Sequence, residues 1–456
     1  MNGTLRKERI SLLRRAVRIR RIQERTRDYA LQYGHGISQI SRCRVCERGR
    51  SDFDGNERVL QAAWKRQLPG SEVIGRDGTS YTVIYPGRPA DGSGPDFRDA
   101  VMRGPNGQIL RGDVEIHIRN SGWRAHRHHL DPRYNGVAFH VTGEPQGPLS
   151  GNGLSASTVS RRPLHLLVLS GSEKADPDLE QVPNVLPGVL SDGLTPEVLS
   201  EAGDQRFLSK SSGLSIMLRA QGGDQAVWSA VLDCLGYSRN RRGFRRVSSR
   251  LPWEALVRGM RAGVGASEAL MWAGGFGPKP NDLLTGPSVR DAPDWTPGGR
   301  PDNRPERRLM AAAVLAERWN NDGPLNSVID LVRNSSGPGE LIDAFRVDEP
   351  RTNSVRSRAL LGTGRAREIT VNAILPLIHG WSLMVDRWDL SEKALILYRH
   401  HPKLPMNTVT REMVSLLKPG HGTLKIRSAR EQQGLILMYR AMTAGPVYAL
   451  PQTSDN

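Results

Sequence analysis

Polar and apolar residues alternate strictly between positions 111 and 119. Arg111, Asp113, Glu115, His117 and Arg119 share one parity, and Val114, Ile116 and Ile118 the other. Alternate side chains of a strand point to opposite faces, so this period of two predicts a strand. One side would be a valine–isoleucine core stripe and the other a row of ionisable groups. Upstream, Asp54 and Glu57 form a capping box, and Val59, Leu60, Ala63, Trp64 and Leu68 follow at helical spacing. Residues 81–85 predict a short strand, 86–95 a Gly/Pro-rich loop, and 97–103 a second strand that turns at 104–107 into the alternating segment. Residues 123–134 predict a short helix or ordered loop. Val137, Phe139 and Val141 then alternate as a further strand, with His140 on its other face, and 163–169 predicts a last one. The order is helix, three strands, helix or loop, strand.

Beyond residue 187 the apolar spacing turns helical. Thr195-Pro196-Glu197 opens one helix, and 224–235, 253–262, 305–320, 340–345, 369–385, 392–400, 408–417 and 432–442 predict others. Pro376 is expected to kink or split the 369–385 segment. The expected fold class is α/β in front and α-rich behind. A basic N-terminal extension, expected to be disordered, covers 1–53, an α/β domain 54–185, and a helical region 186–456 with a Gly/Pro-rich connection near 275–305.

Composition narrows the setting. The 456 residues suffice for two or three domains, and no apolar run approaches the length of a membrane span. The N-terminus lacks an apolar signal core, and three cysteines give no disulfide framework, which together point to a soluble protein of the cytoplasm. Cys43 and Cys46 have a zinc-like spacing, but with His35 they reach only three of the four ligands a structural site uses. Of the net charge of +17, residues 1–50 supply +10, from 14 Lys and Arg against 4 Asp and Glu. Such an arm either neutralises phosphates or is an unstructured extension.

Residues 94–141 concentrate the candidate chemistry. Hard cations such as Mg²⁺ or Mn²⁺ take carboxylate oxygens, so Asp96, Asp113 and Glu115 are candidate metal ligands. Asp96, Glu115 and His117 are candidate catalytic residues, His117 sharing the strand face of Glu115 and open to a role as base, acid or ligand. His126, His128 and His129, with His140, suit a transition metal or are solvated loop histidines, while Trp123 and Tyr134 read as packing residues. Arg239, Arg241, Arg242, Arg245 and Arg246 follow a helix expected to end at Gly236. They read as nucleic-acid-binding residues with Phe244 as a stacking ring, or as a solvated arginine-rich loop. No phosphate-binding loop, dinucleotide fingerprint or nucleophile elbow is present.

These residues resemble two families. Gly94-Pro95-Asp96-Phe97, Gly112-Asp113-Val114-Glu115-Ile116-His117 and the Trp/His/Asp/Tyr run that follows resemble an uncharacterised bacterial family, domain of unknown function 2851. Gly236-Tyr237-Ser238-Arg239-Asn240, Val371-Asn372 and Gln432-Gln433-Gly434 extend that resemblance over roughly 57–439. More distantly, the element order resembles the PD-(D/E)xK nuclease core. That likeness places Pro95-Asp96 and Glu115-Ile116-His117 on the motif, with His117 in the lysine position and Glu57 as the extra acid of the preceding helix. It implies a Mg²⁺- or Mn²⁺-dependent phosphodiesterase acting on nucleic acid. The alternatives are an inactive nucleic-acid-binding protein of nuclease-like fold, or a histidine-metal hydrolase of a small substrate using His117, His126, His128 or His140.

Overall fold

The computed structural model describes residues 57–67, 70–90, 94–143, 157–161, 163–169, 195–283, 292–296, 303–349, 359–416 and 425–444. The basic extension with Cys43, Cys46 and His35, the expected boundary at 185/186, and parts of the 275–305 connection lie outside these residues. The described residues fall into two compact units. One is drawn from Met1–Val198, Met406–Lys425 and Leu435–Asn456, the other from Leu199–Pro405 and Ile426–Gly434.

The first unit is built on a six-stranded barrel. Helix α1 (Glu57–Lys65) precedes β1 (Glu72–Gly75), β2 (Ser80–Tyr85), the two-residue β3 (Arg88–Pro89), β4 (Phe97–Arg103) and β5 (Ile109–His117). Helix α2 (Gly122–Ala125) and 3₁₀ turns at His128–Leu130 and Pro132–Tyr134 lead to β6 (Val137–Thr142), and β7 (His165–Val168) follows. Strands β2, β4 and β5 form an antiparallel meander, β6 lies parallel to β5, and β7 parallel to β6. Antiparallel β1 joins β7 to β2 and closes the ring. Parallel neighbours cannot be linked by a tight hairpin, so β5 and β6 require a crossover. That crossover is the histidine-bearing segment.

Leu60 and Trp64 of α1 are fully buried in one cluster with Val83, Phe97, Met102, Val114, Ile116, Phe139 and Val141. The valine–isoleucine parity of β5 thus meets the core as expected. The opposite parity carries the ionisable groups, and Asp113, Glu115 and His117 are all under a tenth exposed, because the crossover covers them. Gly112, on the core parity, permits the close approach of β6, since a Cβ there would stand 2.4 Å from Ala138 Cβ.

The second unit is helical: α3 (Pro196–Gln221), α4 (Gly223–Leu235), α5 (Tyr237–Arg250), α6 (Trp253–Arg261), α7 (Ala266–Ala273), α8 (Pro305–Trp319), α9 (Gly323–Asn334), α10 (Pro338–Ala344), α11 (Thr363–Ile369), α12 (Leu375–Met384) and α13 (Trp388–Arg399). The arginine-rich stretch, for which a solvated loop is one of two readings, is helix α5. Arginine is a good helix former, and buried Phe244 and Val247 give the segment an apolar side. The 369–385 segment is divided beside Pro376. A π-helical turn at Thr370–Ile374 precedes it, and α12 resumes with the proline in its first turn. Helices α14 (Thr408–Leu416) and α15 (Ala429–Ala444) come last. Helix α14 and the second half of α15 belong to the barrel's unit, where Tyr85 Oη donates to Glu412 Oε1 (3.1 Å) and Tyr439 Oη to Asp99 Oδ2 (2.9 Å). Among the described residues no helix is long and apolar enough to cross a membrane.

Candidate metal centre

Five side chains converge beside the end of β5. Glu115 and His117 come from that strand, His140 from its parallel neighbour β6, where it pairs in register with Glu115, and His126 and His128 from the crossover. The local backbone explains the last pair. Arg127 between them takes a left-handed φ of 59°, which a non-glycine residue adopts at a cost. The turn it makes aims both flanking imidazoles at His117. Gly122, at the start of α2, clears room, because a Cβ there would lie 2.5 Å from the His117 ring.

The imidazoles form a chain. His117 Nδ1 is 2.9 Å from His140 Nε2, and His117 Nε2 is 3.1 Å from His126 Nδ1. Glu115 Oε1 lies 3.1 Å from His128 Nε2 and 3.8 Å from His117 Nε2. One nitrogen from each of His117, His126 and His128 falls within 4.8 Å of the others. His128 Nε2 is buried yet makes no hydrogen bond, although the Glu115 oxygen is at contact distance. A nitrogen and an oxygen so placed, without hydrogen-bond alignment, fit two lone pairs directed at one cation. The His128 ring is stacked on Tyr134 at 3.9 Å, and Trp123 is buried beside His128 and His140. Both aromatics therefore pack, as expected.

Electrostatics agree with the geometry. Burial, then the neighbouring imidazoles, pushes His117 down to about 3. Burial likewise lowers His128 to about 4 and His140 to about 4. All three are neutral at pH 7, the form that ligates metals. Glu115 is pushed up to about 9, by burial first and then by Asp96 and Glu57. A cation at the cluster would reverse that shift. His126 is exposed, so the centre opens to solvent on its side.

The carboxylates divide by role. Asp96 donates its backbone N–H to Glu115 Oε2 (3.1 Å), and its own oxygens accept from Ile116 N–H (2.9 Å) and Gln61 Nε2 (2.8 Å). It locks Glu115 in place from the start of β4. Asp113 faces a bulge instead. Its oxygens accept from Arg98 Nη1 and from the N–H of Asp99, each at 3.1 Å, and Asp99 there has a left-handed φ of 63°. Glu57, at the start of α1, is near enough to raise both Asp96 and Glu115. His129 is half-buried and outside the cluster.

In the helical unit, Arg239, Arg241, Arg242, Arg245 and Arg246 are exposed along α5. Phe244 does not fit the stacking role suggested for it, being buried against Trp295.

The histidine convergence carried little signal in the sequence, because it depends on the left-handed turn at Arg127 and on β5–β6 register. No curated protein and no solved structure matches the chain. The family match runs over residues 57–276, shorter than the expected 57–439, but it takes in the whole centre. Those residues match the family described as "Protein of unknown function (DUF2851)".

Proposed function

We propose that this protein is a metal-dependent phosphodiesterase acting on nucleic acid, its ion held by His117, His126 and His128 with Glu115 beside them. The observation that carries this reading is the convergence of three imidazole nitrogens, from His117, His126 and His128, within 4.8 Å of one another, with the Glu115 oxygen at contact distance from His128. Imidazole donors favour Zn²⁺ or Fe²⁺ over Mg²⁺. A bound ion would polarise a phosphoryl oxygen and acidify water. Glu115 serves as a further ligand or as the base that takes the water's proton. Asp96 positions Glu115 through the backbone bond, and His140 orients His117 through Nδ1.

The substrate class draws on the order α1, β2, β4, β5, α2, β6, which with β1 and β3 set aside resembles a PD-(D/E)xK core, and on the net charge of +17. In that scheme His117 replaces the lysine as a metal ligand, because a buried neutral imidazole supplies no fixed positive charge. A second reading keeps Mg²⁺ or Mn²⁺ on Asp96 and Glu115. It is favoured by the mutual repulsion of Glu57, Asp96 and Glu115, which a hard cation would relieve.

The test combines metal analysis with cleavage assays. Purified protein is analysed for bound metal, then incubated with single- and double-stranded DNA and RNA under Zn²⁺, Mn²⁺ or Mg²⁺. Wild type is compared with His117→Ala, His128→Ala, Asp96→Ala and Glu115→Gln. Retained metal that disappears with His117→Ala, together with cleavage lost in the same variant, supports the histidine centre. Cleavage needing Mg²⁺ and lost only with Asp96→Ala and Glu115→Gln supports the second reading. Metal retained at the histidines without nucleic-acid cleavage points to a smaller substrate. Salt-sensitive nucleic-acid binding with neither metal nor cleavage leaves a binding protein.

A further inference from the structure

Helix α5 is built as a one-sided cationic surface. At about 100° per residue, its five exposed arginines fall within roughly 160° of arc. Phe244, Val247 and Ser248 occupy the buried side. The helix carries no acidic residue of its own. Asp233 on α4 accepts from both Arg241 and Arg245, which holds those two guanidinium groups side by side on the exposed surface. Arg239 and Arg242 make no ion pair among the described residues.

The buried side of the helix is anchored by contacts with the 292–296 segment. Trp295 lies across the buried side, where a Cβ on Gly243 would stand 2.5 Å from its ring, and its Nε1 donates to Gly274 O at 2.8 Å. Thr296 N–H donates to Asn240 Oδ1 at 2.8 Å. The helix therefore presents its charges from a fixed axis.

We infer that this face binds the phosphate backbone of nucleic acid, independently of sequence. Residues four apart on one helix face lie about 5–6 Å apart at Cβ, so two arginine rows offer neighbouring forks to successive phosphates, and a guanidinium can grip each phosphate bidentately. Among the described residues the exposed arc carries arginines with Ser249 among them and no apolar side chain to enter a lipid interface, which sets nucleic acid above a membrane surface. The inference rests on the nucleic-acid reading of the function, but it concerns binding and not cleavage.

The experiment therefore separates the two. The full chain is stripped of metal with EDTA, so that nothing is cut. Binding to a labelled DNA duplex is followed by fluorescence anisotropy across a KCl series. Wild type is compared with the Arg239→Gln/Arg242→Gln/Arg246→Gln variant. Arg258→Gln/Arg333→Gln, which alters exposed arginines on α6 and α9, is the control, and circular dichroism checks that all fold. Each phosphate contact contributes about 0.9 to the slope of log K against log salt, so the triple variant should lose roughly 2–3 units of slope and about 10–100-fold in affinity at low salt. The control should bind as wild type. Equal slope and affinity in wild type and triple variant would overturn the inference. So would arginine-dependent binding of phosphatidylserine vesicles with none of DNA. Binding that depends on the arginines in a protein that never cleaves would uphold this face while removing the proposed activity.

Discussion

Two sets of buried histidines occupy the two units, and they differ in what their nitrogens face. In the helical unit His379 Nδ1 meets Ser211 Oγ at 2.9 Å, while His401 meets Thr370 Oγ at 2.8 Å and the Pro402 carbonyl at 2.9 Å. Each is a single imidazole satisfied by a hydroxyl or carbonyl. In the barrel unit, imidazole faces imidazole and a carboxylate, and His128 Nε2 has no hydrogen bond at all. Yet burial depresses both sets similarly, His379 and His401 to about 4, like His128 and His140. A lowered pKa therefore reports burial. The convergence of several lone pairs on one region is what distinguishes a centre from a core histidine.

The sharpest way to break this contrast is mutation of both sets. His117→Ala with His128→Ala should lower metal affinity by more than about 100-fold, since removing even an outer partner typically costs 10–100-fold. His379→Gln and His401→Gln should leave it unchanged. Competition with a chromophoric chelator measures both, and equal loss in the two sets would dissolve the distinction. Glu115→Gln should weaken binding by about 10–100-fold by the same comparison. His140→Gln should cost about 10-fold, as it acts through His117.

The pH dependence of folding sharpens the contrast further. The histidines have folded-state pKa values below the ordinary 6.5, so their stabilisation is complete above 6.5 and falls as pH drops towards about 4. Both sets contribute to that acid limb. Glu115 works in the opposite sense. Its folded value of about 9 lies above the ordinary 4.5, so its contribution is full below 4.5 and is lost as pH rises to about 9. Urea unfolding of metal-free protein should show both limbs, and Glu115→Gln should flatten the alkaline one alone. An unchanged alkaline limb in that variant would remove Glu115 from the account. The smallest effect belongs to the helical set. His401→Ala should lower unfolding free energy by about 1–3 kcal/mol, the usual cost of leaving a buried partner such as the Thr370 hydroxyl unsatisfied.

Much of the barrel was legible in the sequence, because strand parity is a local property. Val114 and Ile116 lie in the core and Glu115 shares a face with His117, as alternation requires. Closure was not legible. It depends on the four-residue strand β1 meeting β7, a long-range pairing with no short-range signature. The histidine centre was half visible: its residues stood out, but their convergence rests on the positive φ of Arg127. Helix α5 was hidden by its charge, six arginines in fourteen residues masking the apolar positions at 244 and 247. Helix α9 was hidden by Gly323 and Pro324, which resemble a loop but open the first turn.

The β5–β6 register described above has a consequence for inheritance as much as for structure. Glu115, His117, His126, His128 and His140 lie within 26 consecutive residues, and Glu115 is held opposite His140 by the parallel ladder. A one-residue slip of β5 would turn Glu115 and His117 into the core and bring Val114 and Ile116 out in their place. A single-codon deletion in β5 would thus erase the whole centre at once, whereas substitutions could only erode it one donor at a time. Among relatives that share this window, insertions and deletions should therefore gather outside it, and a lineage that loses its chemistry should tend to lose it in one step.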